Sequence, residues 1–136
     1  LVDYNLITQC VAKLHSEQLL FNKTGGSHAT WHFSNDGEII FFSEDVGRHN
    51  SFDKLIGKLL KLNQLPITNQ IVLVSGRISF EIMHKVRRAG YTIIIGLGAP
   101  TGLSINIAIE HGITLIGFAK NNSFTIYSHP KRIIAP

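Results

Sequence analysis

The run Ile71-Val72-Leu73-Val74 carries no polar side chain at any position. Strand side chains point alternately to opposite faces, so a strand that is apolar at every position needs cover on both sides. The stretches 92–95 and 113–118 are nearly as apolar, each with one threonine near its start (Thr92, Thr114), and 124–127 reads as a short last strand. Between them lie helix signals. Ser79 caps one helix, with Lys85, Arg87 and Arg88 toward its end and Gly90 just past it; Thr101 caps another that stops before Gly112. Apolar strands alternating with helices predict a mostly parallel sheet covered on both faces, hence a three-layer α/β/α sandwich.

The first half adds an antiparallel element. Asp3 caps a helix running to about residue 20, with an apolar stripe at Leu6, Ile7, Cys10, Val11 and Leu14. Thr24-Gly25-Gly26-Ser27-His28 is a loop signal. The strand-like runs 29–33 and 38–43 flank Ser34-Asn35-Asp36-Gly37, where Asp-Gly predicts a hairpin and makes the sheet mixed. A further helix is expected to start near Asn50, with Asn50 and Asp53 as a capping box and Phe52, Leu55, Ile56 and Leu59 as its buried face. No repeat or linker divides the chain, so residues 1–136 are expected to form a single domain.

Composition narrows the classes of function. Apolar residues at 44% against 16% charged exclude a disordered chain. The net charge of +4 is scattered, which suits one small anionic ligand better than a nucleic-acid duplex. No apolar run approaches the roughly 18 residues of a membrane span. With a single cysteine, Cys10, no internal disulfide is possible, which agrees with a reducing compartment. Its helical spacing makes Cys10 a core thiol. The chain begins at Leu1 without Met, so it is expected to be a piece of a longer protein.

In open α/β sheets ligands bind beyond the carboxyl ends of the strands, where helix N-termini suit phosphate. Four segments follow strands here: 44–50, 75–79, 98–101 and 117–122. They are expected to converge on one rim, with Arg48, Arg77 and Lys120 meeting anionic groups. Taken singly each has a bland reading. Ser79 and Thr101 are helix caps, Asp45 and Arg48 could form a local ion pair, and a lone His49 is more often structural than catalytic. Gly96-x-Gly98 with Gly102 has the wrong spacing for a dinucleotide fingerprint. Polar segments at four successive strand ends together favour a binding rim.

Several motifs carry a resemblance. Thr24-Gly25-Gly26-Ser27-His28-Ala29, Glu44-Asp45-Val46-Gly47-Arg48-His49-Asn50 with Asp53-Lys54-Leu55-Ile56-Gly57, Ser75-Gly76-Arg77-Ile78-Ser79-Phe80-Glu81 and Ala99-Pro100-Thr101 occur in family order. Thr114-Leu115-Ile116-Gly117-Phe118, Tyr127-Ser128-His129-Pro130 and Arg132 complete the series. Over residues 21 to 134 the chain resembles the formate dehydrogenase accessory sulfurtransferase (FdhD) family.

The resemblance implies a cytidine-deaminase-like fold and a cytoplasmic homodimer. It also implies transfer of persulfide sulfur from a cysteine desulfurase to the bis-molybdopterin guanine dinucleotide molybdenum cofactor destined for the formate dehydrogenase catalytic subunit. The cofactor-binding stretch maps onto Phe118, Ala119, Lys120, Asn121, Asn122 and Ser123, of which Lys120 keeps the family residue; Thr24, His28, Arg48, His49, Arg77 and Thr101 complete the expected site. The family's sulfur-carrying cysteine lies in a Cys-x-x-Cys loop upstream of the Thr24 motif, and Cys10 does not match it. No catalytic residue is therefore expected in these residues, and binding without sulfur transfer is expected of them. No nucleic acid, membrane or directly held metal is expected. A zinc deaminase is disfavoured because Thr30 stands where the catalytic Glu is needed and no cysteine pair exists. The remaining alternative is a non-enzymatic nucleotide-binding scaffold module on the same fold.

Overall fold

The computed structural model describes residues 1–14, 28–65 and 67–135. Six strands form the central sheet: β2 (His28–Phe33), β3 (Ile39–Asp45), β4 (Ile71–Val74), β5 (Ile93–Gly96), β6 (Thr114–Gly117) and β7 (Thr125–Ile126). Their order is β3-β2-β4-β5-β6-β7. β4, β5 and β6 are parallel; β2 is antiparallel to both β3 and β4, and β7 is antiparallel to β6. The hairpin therefore joins through β2, which leaves β3 at the edge and aligned with the parallel strands. A separate parallel pair joins β1 (Val2–Asp3) to β8 (Ile133–Ile134).

Every residue of β4, β5 and β6 is buried. One face packs on helices α2 (Arg48–Lys61), α3 (Phe80–Ala89) and α4 (Gly102–Glu110): Val72, Val74, Ile94 and Leu115 meet Phe52, Leu55, Leu59, Ile82, Met83 and Val86. The other face packs on α1 (Tyr4–Ala12): Leu73, Ile93, Ile95 and Ile116 meet Ile7, Cys10 and Val11. The result is the expected three-layer α/β/α sandwich with a mixed sheet. Each fully buried aliphatic side chain contributes about 1.5–3 kcal/mol of burial free energy, so the two-sided strands dominate the core. Among the described residues, no helix is long and apolar enough to cross a membrane.

The helix ends follow from local chemistry. Asp3 accepts from Asn5 N, Ser79 from Ile82 N and Thr101 from Ser104 N. Gly90 stops α3 in a left-handed conformation, φ 95°, that a Cβ would oppose. The first helix is described over Tyr4–Ala12; its expected extension to residue 20 lies mostly outside the described residues.

One boundary differs from expectation. α2 starts at Arg48, and its N-cap is Gly47 rather than Asn50. Asp45 Oδ1 accepts from Gly47 N at 3.2 Å and Ser51 N already donates to Gly47 O at 3.0 Å, so the first turn closes before Asn50 is reached. Asp53 then faces α3 and pairs with Lys85 at 2.9 Å instead of boxing the helix start. The strand before it also runs longer than expected, to Asp45.

β2 carries two polar residues into the interface with the three-helix layer. Thr30 Oγ1 lies 3.0 Å from Ser51 Oγ of α2, and His32 Nδ1 lies 2.6 Å from the hydroxyl of Tyr91. Burial pushes the imidazole of His32 down from 6.5 to about 4, so the fold favours the neutral ring. The unfolded chain takes up a proton near 6.5, whereas the folded chain resists until about 4. This contribution is therefore complete above the unfolded value and is lost as pH falls through that window. We expect urea unfolding to lose roughly 1 kcal/mol over the first full pH unit below 6.5. His32→Gln, which can still bond Tyr91 but does not titrate, should flatten that slope. A wild-type stability unchanged between pH 7.5 and 5.5 would show that His32 does not stay neutral.

Candidate functional site

Topology brings the carboxyl ends of β3, β4, β5 and β6 to one edge of the sheet, together with the start of β2. His28 opens β2 and sits opposite Asp45, the last residue of β3. The next loop over holds Gly76. A methyl group placed on it would stand 3.1 Å from His28 Nδ1 and 3.3 Å from Arg48 Cδ, so a side chain there would crowd both groups. Gly98 follows: its Cβ position lies 3.4 Å from both Arg77 N and Gly76 O. Gly98 O in turn accepts from Phe118 N at 3.1 Å. These contacts form a continuous strip from His28 and Arg48 through Gly76 and Gly98 to Phe118, floored by backbone at its centre.

The loops are tied to one another. Ser75 exchanges hydrogen bonds with Ala29, its N donating to Ala29 O at 3.0 Å and its Oγ accepting from Ala29 N at 2.9 Å. Ile78 N donates to Ala99 O and Thr101 N to Ile78 O, which sets the Arg77 loop beside the Thr101 cap. Gly117 is also closely packed: a Cβ there would lie 2.8 Å from Pro100 Cδ and 2.9 Å from Tyr127 Cε2. Ala119 N donates to Gly96 O, and Lys120 N to Ser123 O at 2.8 Å, which folds residues 120–123 into a tight turn.

The expected site residues are therefore distributed as follows. Arg48, His49 and His28 are half-buried at one end; Arg77 and Thr101 are exposed at the middle; Phe118, Lys120, Asn121, Asn122 and Ser123 are exposed at the other end. Ala119 turns inward and is buried in the α1-side core, so its side chain is not on the rim. Thr24 lies outside the described residues. Asp45 does not pair with Arg48 but with Lys54, at 2.8 Å, and that hydrogen bond holds its carboxyl below the ordinary value.

Two features of the strip had no sequence signal. Arg48 Nε is buried with no hydrogen-bond partner among the described residues, an unspent donor close to the rim. Phe118 holds a left-handed backbone, φ 50°, and the residue is 48% exposed. A bulky residue is rarely found there, and such strain concentrates at functional sites. Val46, Phe80 and Leu103 are also exposed next to the rim, in the turn after β3 and the first turns of α3 and α4, giving it an apolar shoulder. Helical periodicity does not reveal them, because each stands at the open end of its element.

Cys10 is fully buried on α1. Burial pushes its thiol up to about 12, against a smaller lowering by Lys13. In the native state Cys10 should therefore be inert to a disulfide reagent such as DTNB at pH 8 and react only on unfolding. Rapid titration of one thiol equivalent in the folded protein would contradict its burial.

Sheet order, helix cover and the strip together define an α/β domain whose polar chemistry is gathered beyond the carboxyl ends of its strands. The profile of the FdhD/NarQ family matches residues 1–134, and the chain belongs to that family. It is 48% identical over 133 residues to a sulfur carrier protein FdhD of Sulfurisphaera tokodaii, covering 98% of this chain and 52% of that one. Against the protein of the same name from Sulfolobus acidocaldarius it is 52% identical over 121 residues, covering 89% and 48%. A crystal structure from Desulfotalea psychrophila, described as a formate dehydrogenase accessory protein, superposes with a TM-score of 0.89 at 27% identity, covering 98% of this chain and 56% of that one. The chain spans about half the length of the relatives it matches.

Proposed function

We propose that these residues are the cofactor-holding part of a sulfur carrier that serves formate dehydrogenase maturation. In this reading the rim takes the guanine nucleotide portion of a bis-molybdopterin guanine dinucleotide molybdenum cofactor, which is the cargo rather than a resident group. The observation that carries the reading is Phe118: an exposed aromatic ring, fixed in a strained backbone, at the end of a glycine-floored strip. Such a ring offers a stacking face to a purine, and the backbone floor lets a flat or phosphorylated ligand approach closely. Lys120 and the Arg48 guanidinium supply positive charge for the phosphates at the two ends of the strip.

Sulfur would arrive from a cysteine desulfurase. A carrier thiolate attacks the outer sulfur of the desulfurase persulfide, the desulfurase thiolate leaves, and the carrier is left as the persulfide. Cys10 does not suit that role, because the attack needs an exposed, deprotonable thiol. The carrier thiol then comes from outside these residues, and their own contribution is to hold the cofactor while sulfur is delivered. The formate dehydrogenase catalytic subunit is the recipient of the finished cofactor. A single reduced cysteine is in keeping with a cytoplasmic setting.

Calorimetric titration with GDP tests the reading. Binding should be weak but measurable, and Lys120→Ala should lower affinity by roughly 1–2 kcal/mol for a charge-assisted phosphate contact. Phe118→Gly separates stacking from folding. Relief of the left-handed strain should raise the unfolding midpoint, while loss of the ring should weaken GDP by roughly 1–3 kcal/mol. Equal GDP affinity in all three proteins would remove the 118–123 loop from the site.

A further inference from the structure

A second polar site lies at the opposite end of the parallel strands, among the starts of β4 and β5. Arg132 reaches under this edge. Its Nη1 donates to Thr92 O at 3.2 Å, Gly112 O at 2.9 Å and Thr114 Oγ1 at 2.8 Å. All three acceptors are neutral, and the guanidinium forms no ion pair with a carboxylate among the described residues. A guanidinium carries five N–H donors, so the three on Nε and Nη2 have no protein partner there. A half-buried arginine with neutral partners on one nitrogen and free donors on the others keeps its full charge and its fork geometry.

Arg132 also borders a recess of about 100 Å³, whose wall includes Leu1, Asn35, Asn69, Gln70 and Thr92. At about 30 Å³ per water, the space matches three waters or an anion of a few heavy atoms. Asn69 holds a left-handed backbone, φ 56°. The side-chain amides of Asn35, Asn69 and Gln70 form no hydrogen bond with a described residue. The recess shares Arg132 with an outer depression of about 540 Å³ that His129 and Lys131 border, so its mouth is positively charged. Among the described residues, no carboxylate side chain lines either space.

We propose that this recess is a site for a small oxyanion, held by the free edge of the Arg132 guanidinium and the amides of Asn35, Asn69 and Gln70. It is separate from the rim in place and origin. The rim arises where the fold turns strand ends toward helix N-termini; this site arises from side chains alone, at the end where an open α/β sheet has no general tendency to bind ligands. An anion here supplies the counter-charge that Arg132 lacks among the described residues, and it links the β4–β5 edge to the segment leading into β8.

Thermal unfolding of the 136-residue chain in phosphate or sulfate, each compared with chloride at matched ionic strength, reads the site. Millimolar phosphate should raise the unfolding midpoint and chloride should not. Gln70→Glu places a carboxylate beside Arg132 without removing a side-chain hydrogen bond to any described residue. It should raise the midpoint in chloride and abolish the phosphate response. Acetate run alongside distinguishes a planar from a tetrahedral oxyanion as the better fit. Amide NMR of the unmodified protein gives an independent reading: phosphate should shift the side-chain signals of Asn35, Asn69 and Gln70. A midpoint no higher in phosphate than in chloride, an equal phosphate response in Gln70→Glu, or NMR shifts confined to 47–51 and 98–101 at the rim would overturn the proposal.

Discussion

Burial of β4, β5 and β6 on both faces is the constraint on which the rest of the molecule depends. A strand sealed above and below can show polar groups only at its ends, because any polar side chain along it would need a partner inside the core. Thr114 illustrates the rule: it is buried at the first position of β6, and its hydroxyl donates to His129 O while accepting from Arg132. The antiparallel strand β2 is the exception within the sheet. It admits Thr30 and His32, and each is matched by one hydroxyl, from Ser51 and Tyr91 respectively. Chemistry is thereby pushed to the two edges where strands begin and end.

That constraint also explains what sequence reading could and could not see. Three nearly continuous apolar runs announce two-sided strands, and their helices carry side-chain caps at Ser79 and Thr101, so the parallel core was legible residue by residue. The start of α2 was not. Its cap is a glycine with no side-chain hydrogen bond, and the turn is set by Asp45 binding Gly47 N, which mimics no familiar spacing. Asn50 and Asp53 had the right letters in the wrong turn. Among the site residues, the strand-end segments could be listed by position, but their order along the rim depends on β2 lying between β3 and β4. Only that insertion sets His28 beside Gly76 and Arg48. The φ of Phe118 and the inward turn of Ala119 are set by tertiary bonds to Gly98 and Gly96, and no local pattern encodes them.

Membership of the FdhD/NarQ family and the burial of Cys10 bear on each other. Relatives of about twice the length are called sulfur carriers, while the one thiol in these residues lies within an apolar helix face against the sheet. A thiol in that setting packs as a small hydrophobe, and its value to the fold is its volume. The division of labour proposed for the longer protein follows from this incompatibility. A surface that must hold a large cofactor gains from a rigid, doubly covered sheet, whereas a thiol that must visit a donor and then an acceptor gains from exposure and mobility.

The two ends of the sheet hold charge in different ways, and the difference is physical. At the rim, Arg48 lies along helix α2 with its stem over Gly76, so its position is fixed by a backbone that a Cβ would displace. Its Nε is buried with no hydrogen-bond partner among the described residues. At the far edge, Arg132 is fixed through three bonds on one nitrogen, which orient the guanidinium without neutralising it. Both arginines thus carry fold-imposed orientation together with unspent donor capacity. A lysine would not serve at Arg132, because a single ammonium cannot be anchored on one nitrogen while presenting others in a fixed plane. With the faces of the sheet closed to polar groups, an arginine anchored on one side and free on the other is how this fold places a directed positive charge at its margins.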